Sequence, residues 1–163
     1  MTEPLSRLSL PRAAVAVTAL ALAAGLVTAS PASAATGRIT GLAGTCVDVA
    51  GGGSANGTPV QLYDCNGSAA QQWTVGADGT VRALGKCLDV VAGSVANGAK
   101  LQLWDCTGAA NQRWTVTAAR DLVNPASDKC ADATGSSSAN GTRLQLWSCT
   151  GAAKPEVDRT GRR

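Results

Sequence analysis

The chain has 163 residues, 45% of them hydrophobic and only 3% aromatic, with 14 Lys and Arg against 11 Asp and Glu for a net charge of +3. That balance lacks the electrostatic footprint that nucleic acid or an anionic membrane requires, so neither is expected as a partner. With no histidine in the chain, a Ser-His or Cys-His triad cannot be built, and the six cysteines need another explanation.

The N-terminus is unlike the rest. Arg7 and Arg12 precede an apolar run over 13–27, shorter than the roughly 20 residues that span a bilayer, and the run leads to Ala32-Ser33-Ala34, small residues suited to signal-peptidase cleavage. We read 1–34 as a signal peptide and start the mature chain at Ala35. A retained membrane anchor is the competing reading, set aside because nothing after Ala34 reads as a stop-transfer segment. Export to an oxidising space fits the cysteines, so the protein is expected to be secreted and extracellular.

From Ala35 onward one pattern occurs three times. The first copy contains Cys46-Val47-Asp48-Val49, Asn56-Gly57, Val60-Gln61-Leu62-Tyr63-Asp64-Cys65 and Gln71-Gln72-Trp73-Thr74. The second repeats it as Cys87-Leu88-Asp89-Val90, Asn97-Gly98, Leu101-Gln102-Leu103-Trp104-Asp105-Cys106 and Asn111-Gln112-Arg113-Trp114-Thr115. The third has Cys130-Ala131-Asp132, Asn140-Gly141 and Leu144-Gln145-Leu146-Trp147-Ser148-Cys149. Successive first cysteines stand 41 and 43 positions apart, which defines one supersecondary unit in three copies, over 37–78, 79–119 and 120–153. Within the second copy, 81–84, 87–90, 100–104 and 113–116 each suit a short strand, so four strands per copy are predicted. The Asn-Gly pairs supply the positive backbone angles of tight turns, which accounts for the Asn-Gly-Thr sequons at Asn56 and Asn140 without a glycan. Helical periodicity is missing over any useful length, which excludes helical solenoids.

Equal spacing in three copies favours the disulfides Cys46 with Cys65, Cys87 with Cys106 and Cys130 with Cys149 out of fifteen possible connectivities. Each would contribute about 3 kcal/mol on the loop-entropy account. A metal site is the alternative; it fails for want of close Cys-x-x-Cys pairs and of histidine. No metal and no cofactor is expected.

After Cys149 the second copy predicts Asn-Gln-Arg-Trp-Thr at the corresponding positions, but the chain reads Lys154-Pro155-Glu156-Val157-Asp158-Arg159. These residues can be encoded by AAA CCA GAA GTG GAC CGG, and deleting one A yields Asn-Gln-Lys-Trp-Thr in register. We therefore read 154–163 as an aberrant, frameshifted tail. The final strand of the third copy is expected to be aberrant or missing, its ladder beyond repair by Pro155, and the third copy the least stable, with its sugar site impaired and an unpaired edge exposed.

Four strands in about forty residues also describe a β-propeller blade, but three blades are too few to close a propeller. Cys-x-Asp, a Gln-Leu-aromatic segment ending in Cys, and a closing Gln-x-Trp together resemble the ricin B-type lectin family over about 37–151. The resemblance implies an all-β, threefold β-trefoil and a carbohydrate-binding function. It also implies that the Asp of each copy accepts two sugar hydroxyls while the aromatic ring stacks on the sugar. A polar residue is implied five positions after the second cysteine: Asn111 in the second copy, where the others have Ala70 and Lys154. Asn66 is a candidate substitute for the amide missing at Ala70.

The residue chemistry agrees. A sugar offers vicinal hydroxyls and an apolar C–H face, so a shallow site wants a carboxylate, an amide and a flat ring. Those sets are Asp48, Gln61 and Tyr63; Asp89, Gln102 and Trp104; Asp132, Gln145 and Trp147. Gln71 and Gln112 either orient the Asp or touch sugar. Trp73 and Trp114 read as core, and Asp64 and Asp105 as solvated or turn-bonding. Only the second set is complete. Tyr63, Trp104 and Trp147 alternate with Leu62, Leu103 and Leu146 and so face away from the core.

Catalysis is not expected: beyond residue 34 the only Glu is Glu156, and the Asp residues are spread over separate copies rather than paired across a cleft. The partner is then a neutral oligosaccharide or polysaccharide such as a galactoside or xylan, bound by a monomer. Two alternatives stay open: the binding module of a larger glycoside hydrolase, and a β-trefoil that inhibits a protease or binds protein.

Overall fold

The computed structural model describes residues 34–150 and the strand Glu156–Val157. The expected signal peptide, except its last residue, and the remainder of the 154–163 tail lie outside the described residues.

A first strand, β1 (Ala35–Gly37), precedes three successive sets of four. The first set is β2 (Ile39–Thr40), β3 (Cys46–Val49), β4 (Val60–Tyr63) and β5 (Trp73–Val75). Next come β6 (Val81–Ala83), β7 (Lys86–Val90), β8 (Leu101–Trp104) and β9 (Thr115–Val116). The last set is β10 (Leu122–Asn124), β11 (Lys129–Ala133), β12 (Thr142–Ser148) and β13 (Glu156–Val157). All pairings are antiparallel, and β1 adds to the edge of β5.

Alternation along the strands decides what is buried. In β4, Val60 and Leu62 are buried while Gln61 is partly covered and Tyr63 is exposed, because successive side chains leave opposite faces of a pleated strand. Val49, Leu88, Val90, Leu101, Leu103, Leu144 and Leu146 meet in one core by the same rule. Burial of each such side chain contributes about 1.5–3 kcal/mol. Trp73, at the start of β5, and Trp114, just before β9, close the core, their indole N–H groups donating to Val47 O at 2.9 Å and Leu88 O at 3.0 Å.

The sets are joined at two levels. The fourth strand of each pairs with the first strand of the next: β5 with β6, β9 with β10, and β13 with β2, where Glu156 lies opposite Thr40 and Val157 opposite Ile39. This corrects the expectation that the last ladder is beyond repair. Proline withholds only its own N–H, and Pro155 stands before the strand, so the donors of Glu156 and Val157 remain for the pairing.

At the second level, the residue two before each site glutamine lies opposite the glutamine of the following set. Pro59 faces Gln102, Lys100 faces Gln145 and Arg143 faces Gln61. The Asn-Gly turns reach across in the same cycle. Their glycines sit at φ of 87°, 89° and 86° in Gly57, Gly98 and Gly141, a region that a Cβ disfavours. Asn56 grips Asp105, Asn97 grips Ser148, and Asn140 grips Asp64. Asp64 and Asp105 are therefore ties between repeats, not simply solvated. The asparagine amides of both sequons are committed to those ties.

Candidate functional site

The three disulfides are Cys46–Cys65, Cys87–Cys106 and Cys130–Cys149. Each ties the second strand of a set to the chain leaving the third strand, and between its cysteines those two strands bring the site residues together. Asp48 lies opposite Gln61, Asp89 opposite Gln102 and Asp132 opposite Gln145. The ring two residues beyond each glutamine stays in solvent: Tyr63 is 40%, Trp104 39% and Trp147 42% exposed. Asp48 and Asp89 are buried and Asp132 is half-buried, and an exposed ring on the same hairpin as a shielded carboxylate is the pairing that a sugar's apolar face and hydroxyls require.

The second set is the most heavily bonded. Asp89 is buried, with Oδ1 accepting from Gln102 Nε2 at 2.9 Å and Oδ2 from both Asn111 Nδ2 at 2.7 Å and Gln112 Nε2 at 2.9 Å. Gln112 is itself buried, its second N–H given to Asp105 O and its oxygen taken by the Thr107 N–H at 2.8 Å. With both donors committed and no surface outward, Gln112 holds the carboxylate rather than meeting a ligand. Asn111 is half-buried and bonds Val90 O as well. A carboxylate has about four acceptor positions. Three of those of Asp89 are used, which leaves room for a ligand hydroxyl.

In the first set, Asp48 accepts from Gln61 Nε2 at 3.0 Å and Gln71 Nε2 at 3.1 Å. Gln71 repeats the role of Gln112, bonding Asp64 O and the Asn66 N–H. Ala70 stands where the second set has Asn111, and without that amide a cavity of about 490 Å³ opens beside Asp48, Gln61 and Tyr63. Asn66 lines the same cavity, but its Oδ1 accepts from the Ser68 N–H at 2.9 Å and shapes the turn. It sits at the site without a bond to Asp48 among the described residues.

The third set differs. Gln145 is buried, and its Oε1 accepts from Lys100 Nζ at 2.8 Å, while the Thr134 hydroxyl donates to Arg143 O at 2.8 Å and lies 3.2 Å from Gln145 Oε1. Lys154 and Pro155, where the second set has Asn111 and Gln112, lie outside the described residues. Pro155 has no side-chain donor with which to repeat Gln112's hold on the carboxylate.

Sequence reasoning missed Lys100, Thr134 and the asparagine ties. Lys100 belongs to the second set and acts on the third, so reading within one copy does not connect them. A signal existed for the ties: asparagine recurs in all three turns although glycine alone suffices for the backbone angle.

The ricin-type beta-trefoil lectin domain family matches over residues 35–155. The chain belongs to that family. The lectin domain is 48% identical over 50 residues to the ribosome-inactivating protein SNAI' of Sambucus nigra, a match covering 31% of this chain and 9% of that protein. It is 58% identical over 40 residues to a glucan endo-1,3-beta-glucosidase of Cellulosimicrobium cellulans, covering 24% of this chain and 7% of the enzyme. The chain thus corresponds to under a tenth of either relative. Among solved structures, a non-toxic homologue of type II RIPs from Momordica charantia, in complex with alpha-methyl-D-galactoside, superposes with a TM-score of 0.65 at 31% identity, over 71% of this chain and 43% of that one. The lectin domain is a carbohydrate-binding module on a β-trefoil.

Proposed function

We propose that the protein is a secreted, monomeric carbohydrate-binding module that recognises neutral sugars through its first two repeats without catalysis of its own. Residues 1–34 direct export and are removed, and the domain runs over 35–153. The observation that carries this reading is the repeated geometry of a buried carboxylate, held by two or three side-chain amides, beside an exposed ring. The carboxylate accepts hydroxyl donors, Gln61 and Gln102 stand beside it with their amides, and the ring covers the apolar face of the sugar.

A galactoside is the first candidate, since the Momordica charantia homologue is solved with one; xylan-type chains, whose vicinal 2- and 3-hydroxyls are equatorial as in galactose although the 4-position is not axial, are the second. Nucleic acid and membrane are not partners on this reading. Titrating the purified protein with methyl galactoside and with xylo-oligosaccharides tests it, together with a glycan array. Binding to neither, with the array blank for neutral glycans, overturns it.

A second reading is favoured by the match to the glucan endo-1,3-beta-glucosidase: the module serves a hydrolase to which it is joined. Sequencing the gene on both sides of this reading frame decides between a free lectin and a tethered one.

A further inference from the structure

Building on the sugar-binding reading, we propose that the third site is not a weaker copy of the other two but selects an acidic sugar, a uronate whose carboxylate meets Lys100. The three sites carry the same Asp, Gln and aromatic residues, yet the neighbouring repeat delivers a different residue to each. Pro59 lies opposite Gln102 at the second site, Arg143 opposite Gln61 at the first, and Lys100 opposite Gln145 at the third. The guanidinium of Arg143 donates to Leu101 O at 3.1 Å and, among the described residues, makes no hydrogen bond to Gln61 or Asp48. Lys100 instead runs into the third site, where Nζ donates to Gln145 Oε1 at 2.8 Å and to Thr134 Oγ1 at 2.7 Å. Thr134 is particular to this repeat; the matching positions are Ala50 and Val91, which have no hydroxyl.

Two consequences follow for a ligand. First, the hydrogen-bonding sense is inverted. Gln61 and Gln102 give Nε2 to their aspartates, and among the described residues their Oε1 atoms accept nothing, so these oxygens can receive a sugar hydroxyl. At the third site that oxygen is occupied by Lys100, and an ammonium with three N–H groups, two of them used, stands in its place. The ligand there must offer an acceptor.

Second, the local charge changes. The first two sites pair one aspartate with neutral amides and repel an anion, whereas at the third a cation is bonded to Gln145, the residue opposite Asp132. Among the described residues no carboxylate lies within ion-pair distance of Lys100. Its two partners are neutral, so the charge is available to a ligand carboxylate, and a charge-assisted bond of this kind is about twice as strong as a neutral one.

A matched pair of probes tests this: methyl α-galactopyranoside and its C6-oxidised counterpart, methyl α-galactopyranosiduronate. In the full chain carrying Tyr63→Ala and Trp104→Ala, which remove the exposed rings of the first two sites, calorimetry should find the uronate bound about tenfold or more tightly than the neutral glycoside. Lys100→Met in that background should abolish the difference. Raising the salt concentration tenfold on the Lys100 protein should weaken uronate binding and leave the neutral sugar unchanged, a readout that needs no change at Lys100. Equal affinity for both probes, or a uronate affinity indifferent to salt and to Lys100→Met, overturns the proposal while neutral binding at the other sites leaves the parent reading intact. Failure of the unsubstituted chain to bind either probe, or any neutral glycan on the array, overturns the parent reading and this proposal with it.

Discussion

Asn56 of the first repeat and Asp105 of the second hold each other twice: Asn56 Nδ2 donates to Asp105 Oδ2 at 2.7 Å, and the Asp105 backbone N–H donates to Asn56 Oδ1 at 2.9 Å. Asn140 and Asp64 make the same pair of bonds, both at 2.8 Å. Lys86 adds an ion pair to Asp105 and reaches Asn56 Oδ1 at 3.1 Å. These ties sit on the surface and bridge the same junctions between repeats at which Pro59 lies opposite Gln102 and Arg143 opposite Gln61.

The Asp105 carboxyl is held below its ordinary range, first by the hydrogen bond from Lys86 and then by that from Asn56. Because its folded pKa is depressed, its contribution to stability is present above the unfolded carboxyl value of about 3.9 and is lost as pH falls through the lower folded value. Urea unfolding of the unsubstituted protein and of Asp105→Asn at neutral pH and at about pH 3 should show a smaller acid-induced loss in the variant. Sugar binding by Asp105→Ala at neutral pH should stay close to that of the parent. A parallel acid loss in the two proteins would show that the tie is energetically silent.

Asp89→Ala should reduce binding at the second site by at least about tenfold, since it removes the charged acceptor. Gln112→Ala should weaken the same site and also cost about 1–3 kcal/mol of stability, because Asp105 O and the Thr107 N–H lose a buried partner. Isothermal titration and thermal unfolding on both variants separate the two effects. An affinity unchanged by Asp89→Ala would show that the ligand lies elsewhere.

Trp104 and Trp114 should separate binding from folding. Trp104→Ala removes a ring that is 39% exposed and should lower affinity with little change in unfolding temperature. Trp114→Ala empties the core and deletes the bond to Leu88 O, a change of about 3–5 kcal/mol. Fluorescence-detected unfolding alongside ligand titration checks both.

The end of the chain gives a fourth test. The register that Trp73 and Trp114 occupy in their sets falls to Val157 in the third, eight positions after the second cysteine in each copy. Replacing 154–158 by Asn-Gln-Arg-Trp-Thr should raise the unfolding temperature, by filling the third core position and supplying the amide that Pro155 lacks. Resequencing around the Lys154 codon should show CCA for Pro155 and GTG for Val157; other codons end the frameshift account.

Much of this molecule was legible from spacing alone. Cysteines at equal separation, alternation in the Val60 to Tyr63 and Leu101 to Trp104 segments, and glycine after each turn asparagine are local signals, because strand alternation and turn geometry depend on neighbouring residues. They point to an all-β chain of three repeats and to Asp48 with Gln61 and Asp89 with Gln102, pairs within one hairpin, while the trefoil itself is what the resemblance to the ricin B-type lectin family implies. What the tertiary structure decided is everything that crosses from one repeat to the next. The closure of β13 on β2, the grip of Asn56 on Asp105, and the entry of Lys100 into the site around Gln145 depend on the threefold packing of the repeats. No pattern within forty residues specifies which side chain of one copy will face which glutamine of another. Thus the sequence determined three similar sites that already differ at Ala70, Asn111 and Lys154, and only the packing of one repeat on the next brought Lys100 to Gln145.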